Sequence, residues 1–324
     1  MEISNTEFIL LDKKIIPGET KIINLNIARL HTMTELNIPI VVSRSIYDGP
    51  TVLLSAGLHG DELTGIEIVR RIIRQGINYP ACGTIICIPL VNVFGFVNQE
   101  RDFPDGRDLN RVFPGSANGS LASRFAYRIM QDIVPFVDYV IDFHSGGRSR
   151  FNVPQIRIEP NNEDLAVLAN AFSAPFLLYS DNINGSFREA CDQSGVKYLL
   201  FEGGKALDMD EKVIEAGVQG TIRFLDNLNM LGKAFSSELP SQPMIRITNS
   251  SWVRAQYSGL FHNFVTNGTY VKEGDELGKI TDPYGLVEEA VLAPNDGYII
   301  CQNQAAIVFQ GDAVYHISTQ LKND

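Results

Sequence analysis

The chain has 324 residues, 44% of them hydrophobic and 20% charged, with a formal net charge of -11. That length accommodates one large α/β domain, a sizeable core and a small appendage, while the acidic balance argues against nucleic acid or an anionic membrane as partner, because both demand a basic footprint. No apolar run approaches the ~18 residues a membrane span needs, no basic stretch precedes an apolar one at the start, and Cys82, Cys87, Cys191 and Cys301 lack a C-x-x-C spacing, so a cytoplasmic protein with free buried thiols is expected.

In chain order, KIINLNIARL and IPIVVSRSI read as a β-hairpin that makes the following sheet mixed. From Thr51, apolar strands alternate with amphipathic helices. TVLLSAG is a buried strand, ELTGIEIVRRIIRQG a helix and GTIICIPLVN the next strand. A long loop, Gln99 to Gly115, leads to a helix near SLASRFAYRIMQDIV, a strand VDYVIDFH and a helix near EDLAVLANAFSA. A short strand FLLYS, a helix SFREACDQSG, a strand KYLLFEGG and a long helix from Met209 to about Met230 complete the series. Strands this apolar imply a sheet covered on both faces. After about Gly232 comes a Pro/Ser-rich connector, SSELPSQP, then short strands between Gly, Asn and Asp turns. The expected division is a catalytic domain over 1–235 and a smaller all-β domain over 236–324.

The segment Ala56-Gly57-Leu58-His59-Gly60-Asp61-Glu62 joins a strand end to a helix start, the edge where ligands bind in open α/β sheets. Two residues separate His59 from Glu62, so both side chains can converge on one ion. The same pattern also fits a Gly-rich turn with a Glu favoured by the helix dipole. Two imidazoles, a carboxylate and an open fourth position make the ligand set of a catalytic zinc, and His144, at the end of VDYVIDF, supplies the second imidazole. Asp142 points to the same face of that strand and can orient His144 or His59. His31, His262 and His316 read as surface or packing residues, and Glu67 as a solvated helix residue.

Glu202 closes the apolar strand Tyr198-Leu199-Leu200-Phe201. A carboxylate there is costly unless it is paired or functional. Near a metal it would serve as a general base; the rival reading is an ion pair with Lys205 or an arginine. The long loop carries Arg101, Arg107, Asn110 and Arg111, groups suited to gripping a carboxylate or polarising a carbonyl. Arg148 and Arg150 either add to the positive cleft or form a solvated face.

His59-x-x-Glu62, the Asp-Leu-Asn-Arg run at 108–111, Asp142-x-His144 and Glu202-Gly-Gly together resemble the succinylglutamate desuccinylase/aspartoacylase family, over roughly residues 40 to 230. The resemblance implies a zinc carboxypeptidase-like mixed sheet flanked by helices and one Zn2+ per chain held by His59, Glu62 and His144. It further implies Glu202 as the base that activates water, with Asn110 and Arg111 gripping the substrate's free carboxylate. Arg101 is the first choice for the arginine that polarises the scissile carbonyl, with Arg107 the alternative. The C-terminal texture V-K-E-G-D…A-P-x-D-G is similar to a biotinyl/lipoyl-type barrel sandwich, but about Leu286, where the carrier lysine is expected, there is none. Covalent carriage is therefore not expected, and this domain should shape the cleft mouth or mediate contacts between copies of the chain. The function expected is hydrolysis of the amide of a small N-acyl amino acid. The rivals are a metallocarboxypeptidase and a non-catalytic ligand-binding protein on the same fold.

Overall fold

The computed structural model describes every residue except 1, 5, 6, 30, 31, 34, 241, 323 and 324. A small hairpin, β1 (Ile9–Leu10) and β2 (Lys13–Lys14), precedes the long antiparallel pair β3 (Thr20–Arg29) and β4 (Glu35–Arg44). The α/β part follows with β5 (Thr51–Ala56), α1 (Leu63–Gln75), β6 (Thr84–Ile88), α2 (Val93–Asn98), α3 (Leu121–Asp132) and β7 (Tyr139–Gly146). It continues through β8 (Arg150–Ile158), α4 (Glu163–Phe172), β9 (Phe176–Tyr179), α5 (Phe187–Gln193), β10 (Lys197–Lys205) and α6 (Glu211–Asn227). From Ile245 the chain is built of strands: β11 (Ile245–Arg254), β12 (Gly259–Asn263), β13 (Tyr270–Val271), β14 (Glu276–Thr281), β15 (Glu288–Leu292), β16 (Gly297–Asn303), β17 (Ile307–Val308) and β18 (Ala313–Leu321).

Every residue of β5 and β6 is buried, which requires cover on both faces. On one side α1 and α6 supply it through Ile68, Val69, Ile72, Val213, Val218 and Phe224. On the other, α3 and α5 pack through Phe125, Ile129, Phe187 and Cys191. The helices α1 and α6 approach closely because residue 217 has no side chain: a Cβ there would lie 2.5 Å from Ile68 Cδ1. Gly76 ends α1 in the left-handed conformation at φ 79°, its N–H returning to the carbonyls of Ile72 and Ile73.

The strand order β13-β16-β18-β11-β9-β8-β10-β7-β5-β6-β4-β3 makes one twelve-stranded mixed sheet. Its centre is parallel, with β10, β7, β5 and β6 running the same way. The N-terminal pair β3–β4 extends it antiparallel beyond β6. At the other end the sheet crosses residue 235, because β11 pairs with β9 and β16 with β8. A second sheet, β15-β14-β12-β17, encloses with part of the first a core of Leu277, Ile280, Ile299, Val314, Tyr315 and Ile317. Leu286 sits exposed on the turn between β14 and β15.

Two elements of the α/β part escaped the sequence reading. The strand β8 carries Asn152, Gln155 and Arg157, polar residues that hide its buried neighbours Ile156 and Ile158. The helix α2 is six residues long, too short to show a period, and is started by Asn92, whose side chain accepts from Gly95 N. No helix among the described residues is long and apolar enough to cross a membrane.

Glu67 is not solvated as expected. Its side chain is 13% exposed because Arg70 and Arg71 fold over it, and Arg71 also donates to Glu211 at the start of α6. The Arg70 hydrogen bond leads the forces that hold its carboxyl down at about 2. A carboxylate depressed in the folded state stabilises fully above its ordinary value, and that contribution is lost as pH falls towards 2. Glu67→Gln is therefore expected to cost about 1 kcal/mol at neutral pH, in urea melts, with the difference from the parent vanishing as the pH approaches 2.

Candidate active site

Sheet register assembles the site. Ser55 pairs with Asp142 between β5 and β7, and Glu202 pairs with His144 between β10 and β7. The carboxyl ends of three adjacent parallel strands therefore bring His59 and Glu62, His144 and Glu202 to one edge. The turn after β5 is pressed against α2: a Cβ on Gly60 would lie 1.9 Å from the backbone carbon of Gly95. Gly60→Ala is expected to destabilise the fold by roughly 1–3 kcal/mol or more, read as a lowered melting temperature.

His59, Glu62 and His144 are buried, and one ligand atom from each lies within 4.8 Å of the others. Glu62 sits between the imidazoles, Oε1 at 2.7 Å from His59 Nδ1 and Oε2 at 2.9 Å from His144 Nδ1. Each far ring nitrogen meets a carboxylate: His144 Nε2 lies 2.7 Å from Asp142, and His59 Nε2 lies 3.1 Å from Asp108. This leaves both Nδ1 atoms turned towards the same point, the arrangement that outer carboxylates impose on metal-binding histidines. Asp142 is fixed in turn by Ser55 Oγ at 2.6 Å and the Tyr198 hydroxyl at 2.5 Å.

The carboxylates favour positive charge at that point. Burial works to lower the His144 pKa, yet Asp142 and Glu62 outweigh it and hold the imidazole well above its usual range. His59 is raised against the same burial by Glu62 and Asp108. Burial works to raise Glu62, but the two histidines hold it well below the ordinary carboxylate range. Two nitrogen donors and a carboxylate, buried and backed by further carboxylates, fit a zinc ion in charge and in donor chemistry.

Around this centre lies a cavity of about 1000 Å³, lined among others by Arg101, Asn110, Arg111, Glu202 and, from β11, Trp252. Glu202 is half-buried, and its Oε2 accepts from Asn152 Nδ2 at 2.8 Å. It has no ion pair with Lys205, which reaches Gln304 and Asp208 instead. Arg101 stands against the triad, donating to Glu62 at 3.2 Å and to Asp108 at 2.9 Å. Asn110 Oδ1 accepts from Phe187 N at the start of α5, leaving its Nδ2 as a donor. Arg111 donates to the Asn110 carbonyl at 2.6 Å, and Arg148 and Arg150 also line the wall. Arg107 is not brought to the cavity lining; its Nε donates to Ser120 Oγ at the cap of α3.

The sequence reading gave no role to Asp108, Asn152 or Tyr198. Tyr198 lies four residues before Glu202 on one strand, so period-two alternation alone places both on one face. Asp108 stood inside the quoted Asp-Leu-Asn-Arg run, but loop geometry decides where it points. Among the other histidines, His262 is exposed and His316 is buried and stacked on Trp252 at 4.4 Å. Burial, reinforced by Arg157, pushes His316 down to about 3. His31 lies outside the described residues.

Known proteins resemble this chain in sequence and in fold. The N-alpha-acetyl-L-2,4-diaminobutyric acid deacetylase of Halomonas elongata is 28% identical over 283 residues, 82% of this chain and 81% of that enzyme. Among solved structures, the product-bound ectoine utilization protein of Ruegeria pomeroyi superposes with a TM-score of 0.83 at 22% identity, covering 97% of this chain and 98% of that one. An aspartoacylase family protein of Mesorhizobium loti gives a TM-score of 0.82 at 24% identity, with 99% of this chain and 100% of that one covered. Both share the mixed α/β fold. The succinylglutamate desuccinylase/aspartoacylase catalytic domain matches residues 48–228. With more than half of its length matched, the chain belongs to the succinylglutamate desuccinylase/aspartoacylase family.

Proposed function

We propose that this protein is a zinc-dependent deacylase that hydrolyses the amide of an N-acyl amino acid to a carboxylate and a free amino acid. The observation that carries the reading is the meeting of a buried His59–Glu62–His144 triad with Glu202 and Arg101 in one cavity of about 1000 Å³. A chamber of that size, with Trp252 in its wall, suits a small acylated amino acid better than a polypeptide. On this reading residues 1–235 form the catalytic domain, and 236–324 close the mouth of the cavity. The four buried free cysteines suit action in the cytoplasm.

His59, Glu62 and His144 would hold one zinc per chain. When bound, zinc supplies Lewis acidity to the scissile carbonyl and to the attacking water. The protein's own groups do the rest. Glu202 takes a proton from the water as its oxygen bonds to the acyl carbon, then gives that proton to the amine nitrogen as the C–N bond breaks. Asn152 holds Glu202 Oε2, which keeps Oε1 available for the proton. Arg101 donates to the carbonyl oxygen as negative charge develops there. Asn110 Nδ2 and the free guanidinium donors of Arg111 grip the substrate's α-carboxylate, fixing the amide over Glu202.

The test is a panel of N-acyl amino acids and short peptides incubated with zinc-loaded protein. Amine release from acyl amino acids, with peptides untouched, is expected. Release of C-terminal residues from peptides would favour the carboxypeptidase instead. The Halomonas relative's name makes N-acetyl-2,4-diaminobutyrate one substrate to include.

A further inference from the structure

Asp142 lies on β7, the strand between β5 and β10, and is held from both of them. Ser55, its register partner on β5, donates to Oδ1 at 2.6 Å. From β10, Tyr198 stands two residues before Leu200, the other register partner, and its hydroxyl donates to Oδ2 at 2.5 Å. His144 Nε2 meets that same Oδ2 at 2.7 Å. The carboxylate is fully buried and Tyr198 is 2% exposed. Burial, reinforced by Asp142, pushes the Tyr198 hydroxyl well above its ordinary range, so at neutral pH it is a proton donor.

The last torsion of an aspartate is broad and roughly two-fold, so the plane of its carboxylate needs fixing from outside. His144 cannot fix it, because that ring depends on the carboxylate for its own aim: Nε2 bonds Oδ2, and Nδ1 then faces the point shared with Glu62 and His59. Two donors on different oxygens, from strands on opposite sides, set the plane independently of His144. The Tyr198 ring is itself held by packing. It stands edge-on to Phe187, with centroids 5.6 Å apart at 89°, and Phe187 N is tied to Asn110. A continuous set of contacts therefore runs from the core under α5, through Tyr198 and Asp142, to the imidazole of His144.

We propose that Tyr198 and Ser55 are positioning residues for the metal: by pinning Asp142 they keep His144 Nδ1 aimed at the zinc position and so raise the affinity for zinc. This rests on the metal reading above. Neither hydroxyl is among the clustered donors, and both act through Asp142.

The experiment measures zinc affinity by competition with a chromogenic chelator for the parent, Tyr198→Phe, Ser55→Ala, Asp142→Ala and the double variant of Tyr198→Phe with Asp142→Ala. Tyr198→Phe keeps the ring against Phe187 and removes only the hydroxyl. Each hydroxyl variant should bind zinc about tenfold more weakly, the lower end of the range for outer partners of a metal-binding histidine. Once the carboxylate is gone, adding Tyr198→Phe should change the affinity by about twofold at most, because a residue acting through Asp142 has nothing left to act on. Either hydroxyl variant binding zinc as tightly as the parent, or more tightly, would overturn the proposal. So would a further loss of about tenfold on top of Asp142→Ala. Urea melts of the metal-free proteins expose a purely structural bond: lower stability with unchanged affinity means that the hydroxyls only tie β5 and β10 to β7, which also overturns it. If Asp142→Ala does not fold, the two hydroxyl variants decide alone. The readout is affinity, so it holds whether or not an N-acyl amino acid is hydrolysed. A parent that binds no zinc overturns the metal reading and this inference together, whereas a zinc-binding parent matched by its variants overturns this inference alone.

Discussion

Glu202→Gln should lower kcat by roughly 10²–10⁴-fold while zinc stays at one per chain. The amide keeps the shape of the side chain and can still meet Asn152, so the fold and cavity should survive. What is lost is the carboxylate proposed to take a proton from water and return it to the amine. Zinc content is unaffected because Glu202 is not one of the three clustered donors. Residual turnover within tenfold of the parent would remove Glu202 from its proposed role, and loss of zinc would mean that it ligates the metal.

His144→Ala should abolish both zinc retention and turnover. One of three protein donors disappears, so the loss of metal affinity should exceed the roughly 10–100-fold that follows removal of an outer partner. Asp142→Asn is the graded companion, expected within that range because His144 keeps its place while losing the carboxylate behind Nε2. His144→Ala also leaves Asp142 buried with only Ser55 and Tyr198 as donors. Breaking such a buried pair costs about 3 kcal/mol, so a lower melting temperature should accompany the loss of metal. Competition against a chromogenic chelator measures both variants, and retention of zinc by His144→Ala would remove it from the ligand set.

The α/β alternation was legible because β5, β6, β7 and β10 are apolar enough to declare cover on both faces, and because α1, α3 and α6 repeat at helical spacing. The strand-end positions of His59, Glu62, His144 and Glu202 followed from the same pattern, since a polar residue at the end of an apolar run stands out. Strand order did not follow. That β8 lies between β10 and β9, antiparallel to the first and parallel to the second, depends on pairings between segments distant in the chain, and its polar face of Gln155 and Arg157 looks like a loop in one dimension. The continuation of the sheet into β11 and β16 was hidden for the same reason: a composition shift at the Pro/Ser-rich connector marks a linker but does not say which strands pair across it. Loops were the least readable. Arg101 was the first choice in sequence and Arg107 the alternative, and only the path of residues 99–115 turns one towards Glu62 and the other towards Ser120. Glu67 gave the opposite lesson, a helical glutamate covered by its own i+3 and i+4 arginines.

The proposed function is that of a deacylase whose zinc is held by His59, Glu62 and His144. It is tested most directly by stripping the protein of metal, confirming the fold by circular dichroism, and following release of free amino acid from its best N-acyl substrate during stepwise return of zinc. Activity should be absent in the stripped protein, rise in proportion to added zinc and level off at one equivalent per chain. Full activity in the stripped protein, or no activity on any N-acyl amino acid with one equivalent bound, would contradict it.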